Sequence, residues 1–280
     1  MSKKASKPPS APSFTDLLES DTQTRAFEEL GAYLWSQIRA RATVWGEPEF
    51  KEVVAGAQMR FGSVLKGVQL RAKRVPEPLL SRMLQLDLMT TESIAAAHIT
   101  YVAGRFDPSA PTLAWAAWPI MLGSPGDLSL LRYLIAAGAD PNSRAKKGAA
   151  LNYLTKREME PAGHPPAVRL LLAAGADPDA PDIEGETPLF ALCAFWKIEP
   201  ALAELIRELR ARGARIDTKS NIGDTPLEFL RRGVPEFGVE PPESVNLRNQ
   251  LVAEFERDDL EDFLPPAPPS AKEDIDGRRR

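Results

Sequence analysis

The sequence has one cysteine and two histidines among its 280 residues, and these scarcities limit its chemistry. A single cysteine, Cys193, excludes an internal disulfide. Any histidine-based acid–base catalysis has to use His98 or His164, and we interpret all three side chains as structural. Phosphate-binding glycine loops, nucleophile elbows and the HExxH zinc motif are also absent. We therefore expect no catalytic residue, no cofactor and no metal site.

Long apolar runs are lacking too. No stretch approaches the ~18 uninterrupted apolar residues that a membrane-spanning helix needs. The basic start at residues 1–4 is not followed by the apolar segment of a signal peptide. The net charge of −4 creates no overall field that would recruit nucleic acid or an anionic membrane. We expect a cytoplasmic protein without a membrane span.

One five-residue sequence motif, called the phrase below, occurs three times between residues 138 and 217. Residues 138–142 read Gly-Ala-Asp-Pro-Asn, residues 175–179 read Gly-Ala-Asp-Pro-Asp, and residues 213–217 read Gly-Ala-Arg-Ile-Asp. The copies are 37 and 38 residues apart, and each follows a leucine-rich stretch. Thr-Pro-Leu at 187–189 returns 38 residues later at 225–227. Two phrases in phase define a repeating unit.

Each residue type in these phrases predicts one part of a helix–turn–helix unit. Threonine can cap a helix through its hydroxyl, and proline fits the first helical position, where its missing N–H is not needed. Glycine ends a helix in the left-handed conformation, and a neighbouring Asp or Asn supports a tight turn. We expect a short inner helix after each Thr-Pro-Leu and an outer helix before each Gly-Ala.

The unit resembles the ankyrin repeat, whose inner helix opens with Thr-Pro-Leu-His and whose outer helix ends in Gly-Ala-Asp. The resemblance covers roughly residues 111–256 and implies an all-α, ankyrin-type solenoid. The family's histidine is missing here, since Phe190 and Glu228 stand in its place. The spacing also exceeds the usual period of about 33 residues. It predicts insertions between inner and outer helices at residues 123–127, 157–165, 197–200 and 233–242.

Two further copies are eroded. Residues 111–117 predict the inner helix of the first clear repeat. Gly104 closes a predicted outer helix at residues 91–103, with residues 78–89 as its inner partner. At residues 148–151, Gly-Ala-Ala-Leu is one residue short of Gly-x-Thr-Pro-Leu, so this inner helix lacks its threonine cap.

The chain divides into four parts. Residues 1–13 and 257–280 have the composition of flexible tails, and the repeats occupy residues 77–256. Within the remaining region, 14–76, residues 22–41 predict an amphipathic helix with an apolar stripe of Phe27, Leu30, Leu34 and Ile38. We expect a helical N-terminal cap that covers the first repeat. A partner-binding or dimerisation helix is the alternative.

The segment 60–74 contains five basic residues and no acidic one. Such a run suggests binding of nucleic acid or another polyanion, which is the alternative function. Phe61 is its only aromatic residue, so a stacking platform for bases is missing. This composition favours an acidic protein partner over nucleic acid. The basic residues are Arg60, Lys66, Arg71, Lys73 and Arg74.

Charge alternates between successive predicted hairpin tips. The tip at 142–148 carries three basic residues and no acidic one, whereas the next carries five carboxylates between Asp177 and Glu186. Pro178 and Pro181 interrupt the register that a calcium-binding EF-hand loop requires. We therefore interpret this second tip as an acidic hairpin exposed to solvent.

The resemblance implies that hairpin tips and the exposed side of the inner helices form a concave surface that binds another protein. Trp, Phe and Arg dominate binding hot spots, and charges on the tips would orient the partner. We expect the chain to recognise another protein without catalysis, as an adaptor, inhibitor or regulatory partner. Packing beneath the inserted loops is the alternative role for the aromatic residues. The tip candidates are Arg144, Lys146, Lys147, Asp182, Glu184 and Glu186. The inner-helix candidates are Trp118, Lys156, Arg157, Phe195, Trp196, Arg231 and Arg232.

Overall fold

The computed structural model describes residues 14–75, 90–121, 128–156, 165–195, 197–233 and 240–262. Within these ranges the chain is all-α, with no strand and a single isolated bridge between Ala145 and Gly148. The expected fold class is thereby confirmed at this level. No helix in the described ranges is long and apolar enough to cross a membrane.

Twelve α-helices lie in the described part of the chain. A short 3-10 turn, Phe14–Leu17, precedes them. The first four are α1 (Asp21–Ala40), α2 (Glu47–Phe61), α3 (Lys66–Ala72) and α4 (Thr90–Val102). The next four are α5 (Thr112–Met121), α6 (Ser129–Ala136), α7 (Ala150–Thr155) and α8 (Pro165–Ala173). The last four are α9 (Pro188–Cys193), α10 (Pro200–Ala211), α11 (Pro226–Arg232) and α12 (Pro242–Asp262).

Helix α1 forms where its apolar stripe predicts it. Ser20 caps its N-terminus by accepting a hydrogen bond from the N–H of Gln23 at 3.3 Å. The predicted stripe of Phe27, Leu30, Leu34 and Ile38 is buried. The stripe faces α4, and the two helices cross closely at Gly31, where a Cβ atom would lie 2.3 Å from the carbonyl oxygen of Thr91.

The N-terminal helices share a core with the helices that follow. The ring of Phe50 meets Tyr101 and Tyr133 edge-on, with both pairs of ring centroids 5.3 Å apart. The indole Nε1 of Trp45 donates to the carbonyl of Arg132 at 3.0 Å, and the Arg132 guanidinium donates to the carbonyl of Ala42 at 2.9 Å. Helices α1 and α2 are thus fixed to α4 and α6.

The later helices pack in pairs, and each pair packs on the one before it. The first helix of each pair contacts the second, in α5–α6, α7–α8, α9–α10 and α11–α12. The first helices also contact one another in chain order, α5 with α7, α7 with α9 and α9 with α11. Among the second helices, α8 contacts α10 and α10 contacts α12.

The predicted helix ends are confirmed. Thr187 and Thr225 each accept a hydrogen bond from the N–H three residues on, both at 3.2 Å, and proline follows each in the first helical turn. Gly138, Gly175 and Gly213 have φ angles of +96°, +91° and +92°. Because the backbone at these glycines is left-handed, the N–H of the following residue donates to a carbonyl of the last helical turn.

Helix α7, which lacks the threonine, has a different cap. The Oδ1 atom of Asn152 accepts from the N–H of Ala149 at 2.9 Å. Its Nδ2 atom donates to the carbonyl of Ala180 at 2.8 Å. One buried amide therefore fixes the start of α7 and ties it to the next turn.

Several predictions lie outside the described residues. The inner helix at 78–89 is one of them, as are most of the insertions at 123–127, 157–165 and 233–242. His164, Arg157 and Trp196 also fall outside, together with the side chain of Trp118. The expected outer helix at 91–103 is confirmed as α4.

Candidate functional site

The repeated Asp and Asn residues hold the turns together. Asp140 and Asp177 each accept, at 2.9 Å, a hydrogen bond from the N–H two residues later, which closes their own turn. The second polar residue then reaches the next turn. Asn142 accepts from the N–H of Asp177 at 2.7 Å, and Asp179 accepts from the N–H of Arg215 at 2.8 Å. These side chains are structural, and together they form a ladder along the tips.

The ladder begins at the turn that follows α4 and Gly104. Ser109 donates its N–H to Asp107 at 2.9 Å, and the carbonyl of Pro108 accepts from the N–H of Asp140 at 2.8 Å. Ser143 also donates to the carbonyl of Ser109 at 2.8 Å. The signal that finds this turn is the Asp-Pro pair, which precedes a small polar residue here as it does at 140–142 and 177–179.

At the third copy of the phrase the pattern changes. Arg215 replaces the aspartate, and its guanidinium binds Asp217 through two hydrogen bonds of 3.0 and 3.1 Å. This bond to Arg215 lowers the pKa of Asp217. In the two earlier copies the equivalents of Asp217, which are Asn142 and Asp179, accept a hydrogen bond from the following turn. Asp217 instead binds a side chain of its own turn. Within the described residues the ladder therefore stops at this turn.

The acidic tip is partly internal, which corrects the expectation of a wholly exposed hairpin. The Asp182 carboxylate accepts from the N–H groups of Glu184 at 2.8 Å and Glu186 at 3.0 Å. Its other oxygen lies 3.0 Å from the Lys156 ammonium, and the two side chains are 3 % and 11 % exposed. Asp182 and Lys156 thus join two successive helix pairs and are not open to a partner.

Carboxylate oxygens of Asp182, Glu184 and Glu186 lie within 4.8 Å of one another. The Lys156 ammonium also approaches Glu184, at 3.7 Å. A cation of the chain itself therefore offsets part of this charge, and we assign no metal here.

The basic tip faces outward. Arg144 and Lys146 are exposed, and Lys147 is half-buried. The backbone N–H of Lys147 donates to the Tyr153 hydroxyl at 3.2 Å, which fixes the tip against α7.

Each inner-helix candidate whose side chain is described is packed or paired within the chain. Phe195 is 8 % exposed and belongs to the core, with the Arg248 guanidinium donating to its carbonyl at 3.0 Å. This burial corrects the expectation of an exposed ring. Arg231 pairs with Glu256 at 2.7 Å and Arg232 with Asp224 at 2.5 Å, so both guanidinium groups have partners within the chain.

Two exposed isoleucines at the tips were not among the predicted site residues. Ile183 and Ile222 are 60 % and 64 % exposed on successive tips. The tips touch, since a Cβ atom on Gly185 would lie 3.4 Å from the backbone nitrogen of Asn221. The available signal was a β-branched apolar residue inside an otherwise polar turn sequence.

His98 and Cys193 lie in apolar surroundings. The Nδ1 atom of His98 is 3.0 Å from the Tyr133 hydroxyl, and burial lowers the pKa of His98 to about 4. Burial likewise raises the pKa of the Cys193 thiol. At neutral pH the imidazole is neutral and the thiol protonated, and neither group is accessible. Both fit the structural interpretation.

Comparisons with known proteins assign this chain to no family. A scan against protein-family models finds no match, and neither does a search of curated proteins. Function is therefore inferred from the residues and contacts described above.

Proposed function

We propose that this chain is an ankyrin-like helical solenoid that recognises another protein without catalysis. In this proposal helices α1 to α3 cap the first helix pair, and the binding surface runs along the hairpin tips. The support is threefold: pairs contact in chain order, Thr-Pro and Gly-Ala-Asp stand at the expected helix ends, and side chains link successive turns. A cytoplasmic location is part of the proposal.

The exposure of Ile183 and Ile222 is the single observation that carries the binding surface. Large apolar side chains on adjacent tips form a small patch that water solvates poorly, and such patches often mark interaction sites. Exposed charges surround the patch, with Glu184 on the same tip as Ile183 and Arg144 and Lys146 on the tip before it.

The charge order defines the kind of partner. A segment that places apolar side chains on the two isoleucines, and acidic side chains over Arg144 and Lys146, matches the surface in both respects. The apolar contacts would set the dissociation rate, and the basic tip would raise the association rate. The partner is therefore expected to be a protein with an exposed acidic and apolar segment.

The experiment starts with capture of partners from native lysate by the full chain, followed by mass spectrometry. Binding of each purified candidate is then measured for wild type and for Ile183→Ser/Ile222→Ser. We expect the double variant to lose about 1 to 3 kcal/mol of affinity through faster dissociation. Arg144→Glu/Lys146→Glu should instead slow association and weaken its salt dependence.

The matched control is Val44→Ser, which removes a comparably exposed apolar side chain before α2. This variant should bind as wild type does, and all variants should keep the wild-type melting temperature. If the isoleucine variant binds every captured protein as tightly as wild type, the tips are not the recognition surface.

Nucleic-acid binding through residues 60–74 gains little support from the structure. Arg71 is committed to the N-terminal turn, where it donates to the Leu17 carbonyl at 2.7 Å and pairs with Glu19. Arg60 lies over the rings of Tyr33 and Phe61, and Phe61 is buried, so no ring is left for stacking bases.

A further inference from the structure

Helices α2 and α3 are joined by a hydrogen bond between two glutamine side chains. The Nε2 atom of Gln69 on α3 donates to Oε1 of Gln58 on α2 at 3.3 Å. The core-facing residues of α2 are Phe50, Val53, Ala57 and Phe61, and those of α3 are Val68 and Ala72. The opposite sides of the two helices therefore form one outward surface beside the glutamine pair.

Two long apolar side chains stand on this surface. Met59 follows Gln58 and Leu70 follows Gln69, and their exposed fractions are 87 % and 51 %. Each is two residues beyond a buried residue of its own helix, Ala57 or Val68, and so points about 200° away from the core.

Basic side chains lie at both ends of α3, on either side of Leu70 in the sequence. Lys66 precedes Leu70 by four residues and so lies on the same side of α3, while Lys73 and Arg74 stand in the turn that directly follows the helix. All three are exposed, and none forms an ion pair with a described residue. No acidic residue occurs from position 53 to position 75.

We propose that this basic-apolar face, formed by Met59, Leu70, Lys66, Lys73 and Arg74, docks the chain reversibly on an anionic lipid bilayer. Protruding apolar side chains can enter the headgroup region, while lysine and arginine bind the anionic headgroups around them. A nucleic-acid backbone would offer no apolar contact to Met59 and Leu70, whereas the headgroup region of a bilayer accepts both apolar and basic side chains. This docking is independent of recognition at the hairpin tips.

The test is cosedimentation of the full chain with vesicles of phosphatidylcholine mixed with phosphatidylserine, against vesicles of phosphatidylcholine alone. Wild type should bind the mixed vesicles at low salt and little of the neutral ones. Lys66→Glu/Lys73→Glu/Arg74→Glu should reduce the partition coefficient by about tenfold or more. Met59→Ser/Leu70→Ser should reduce it by about fivefold.

Each variant has a matched control at the tips. Arg144→Glu/Lys146→Glu/Lys147→Glu makes the same change in net charge, and Ile183→Ser/Ile222→Ser removes two comparably exposed apolar side chains. Both controls should partition as wild type does, and the melting temperature should establish that every variant folds.

Three results would overturn the proposal. The first is equal partition of wild type on anionic and neutral vesicles. The second is an equal loss of vesicle binding in each face variant and its tip control, because binding would then not depend on the basic-apolar face. The third is tight binding of a short DNA duplex that the three glutamates abolish and Met59→Ser/Leu70→Ser leaves intact, because the ligand would then be nucleic acid.

Discussion

The buried pair of His98 and Tyr133 makes stability depend on pH. In the folded chain burial lowers the pKa of His98 to about 4, whereas the ordinary value is 6.5. The unfolded chain therefore takes up the proton first as pH falls, so this contribution to stability is complete above pH 6.5 and is lost towards pH 4. Above pH 6.5 the imidazole is neutral in both states and adds no pH dependence.

We expect wild type to lose roughly 2 kcal/mol of unfolding free energy from this group between pH 6.5 and about pH 5. Urea titrations at the two pH values measure the loss. His98→Gln keeps a polar side chain without the titration, so the difference between the proteins isolates the histidine from the carboxylates. Identical pH dependence in both proteins would contradict the buried, neutral imidazole.

A second residue-scale prediction concerns Lys156 and Asp182. Asp182 is buried and Lys156 is mostly buried, so removing the lysine leaves the carboxylate without this partner. We expect Lys156→Met to destabilise the protein by about 3 kcal/mol. Lys156→Met/Asp182→Asn should restore part of that loss, since the asparagine oxygen can still accept from the turn N–H groups.

Arg231→Met is the control, because its pair with Glu256 is half-exposed and should contribute at most about 1 kcal/mol. Denaturant unfolding of the single and double variants gives the coupling energy. Additive losses in the Lys156/Asp182 cycle would show that the two groups do not interact in solution.

Local signals in the sequence predict the elements well wherever the cause lies within a few residues. Helix α1 follows from its own stripe and α9 from its own Thr-Pro cap. Contacts between distant residues were not predictable in this way. Phe195 is buried where Arg248 reaches its carbonyl, and Lys156 meets Asp182 only after two helix pairs have packed. The binding candidates changed for that reason, while the helices did not.

The crossing of α1 and α4 gives a prediction at the scale of elements. A methyl group at position 31 would meet the backbone of α4, which cannot move alone, with 2.3 Å to the Thr91 oxygen. Gly31→Ala should therefore destabilise by about 1 to 3 kcal/mol, although alanine favours helix. The melting temperature and denaturant midpoint measure the change.

Gly56→Ala provides the comparison, since there the methyl group meets only the terminal hydroxyl of Tyr33, at 2.5 Å. That side chain can rotate away, so we expect a change near zero or a slight gain in stability. Equal losses at positions 31 and 56 would argue against a close crossing at Gly31.

At the scale of the whole molecule, contacts run mainly between neighbouring pairs, and each end has its own aromatic cluster. Phe50 joins Tyr101 and Tyr133 at the N-terminal end. Phe190 and Phe229 pack with ring centroids 5.3 Å apart near the other end, outside the main core. Stability in such an arrangement is set by the contacts of each layer with the next.

We therefore expect the two clusters to control different parts of the chain. Phe50→Ala should cost about 3 to 5 kcal/mol locally and accelerate amide exchange in α1, α2, α4 and α6 together. Phe229→Ala should accelerate exchange in α9 and α11 first and leave α1 and α4 nearly as protected as in wild type. Hydrogen exchange followed by mass spectrometry resolves these regions in one experiment. If Phe50→Ala accelerates amide exchange in α2 alone, the N-terminal helices do not share a core with α4 and α6. If both variants accelerate exchange equally in every helix, the chain unfolds as one cooperative unit and the layered description is wrong.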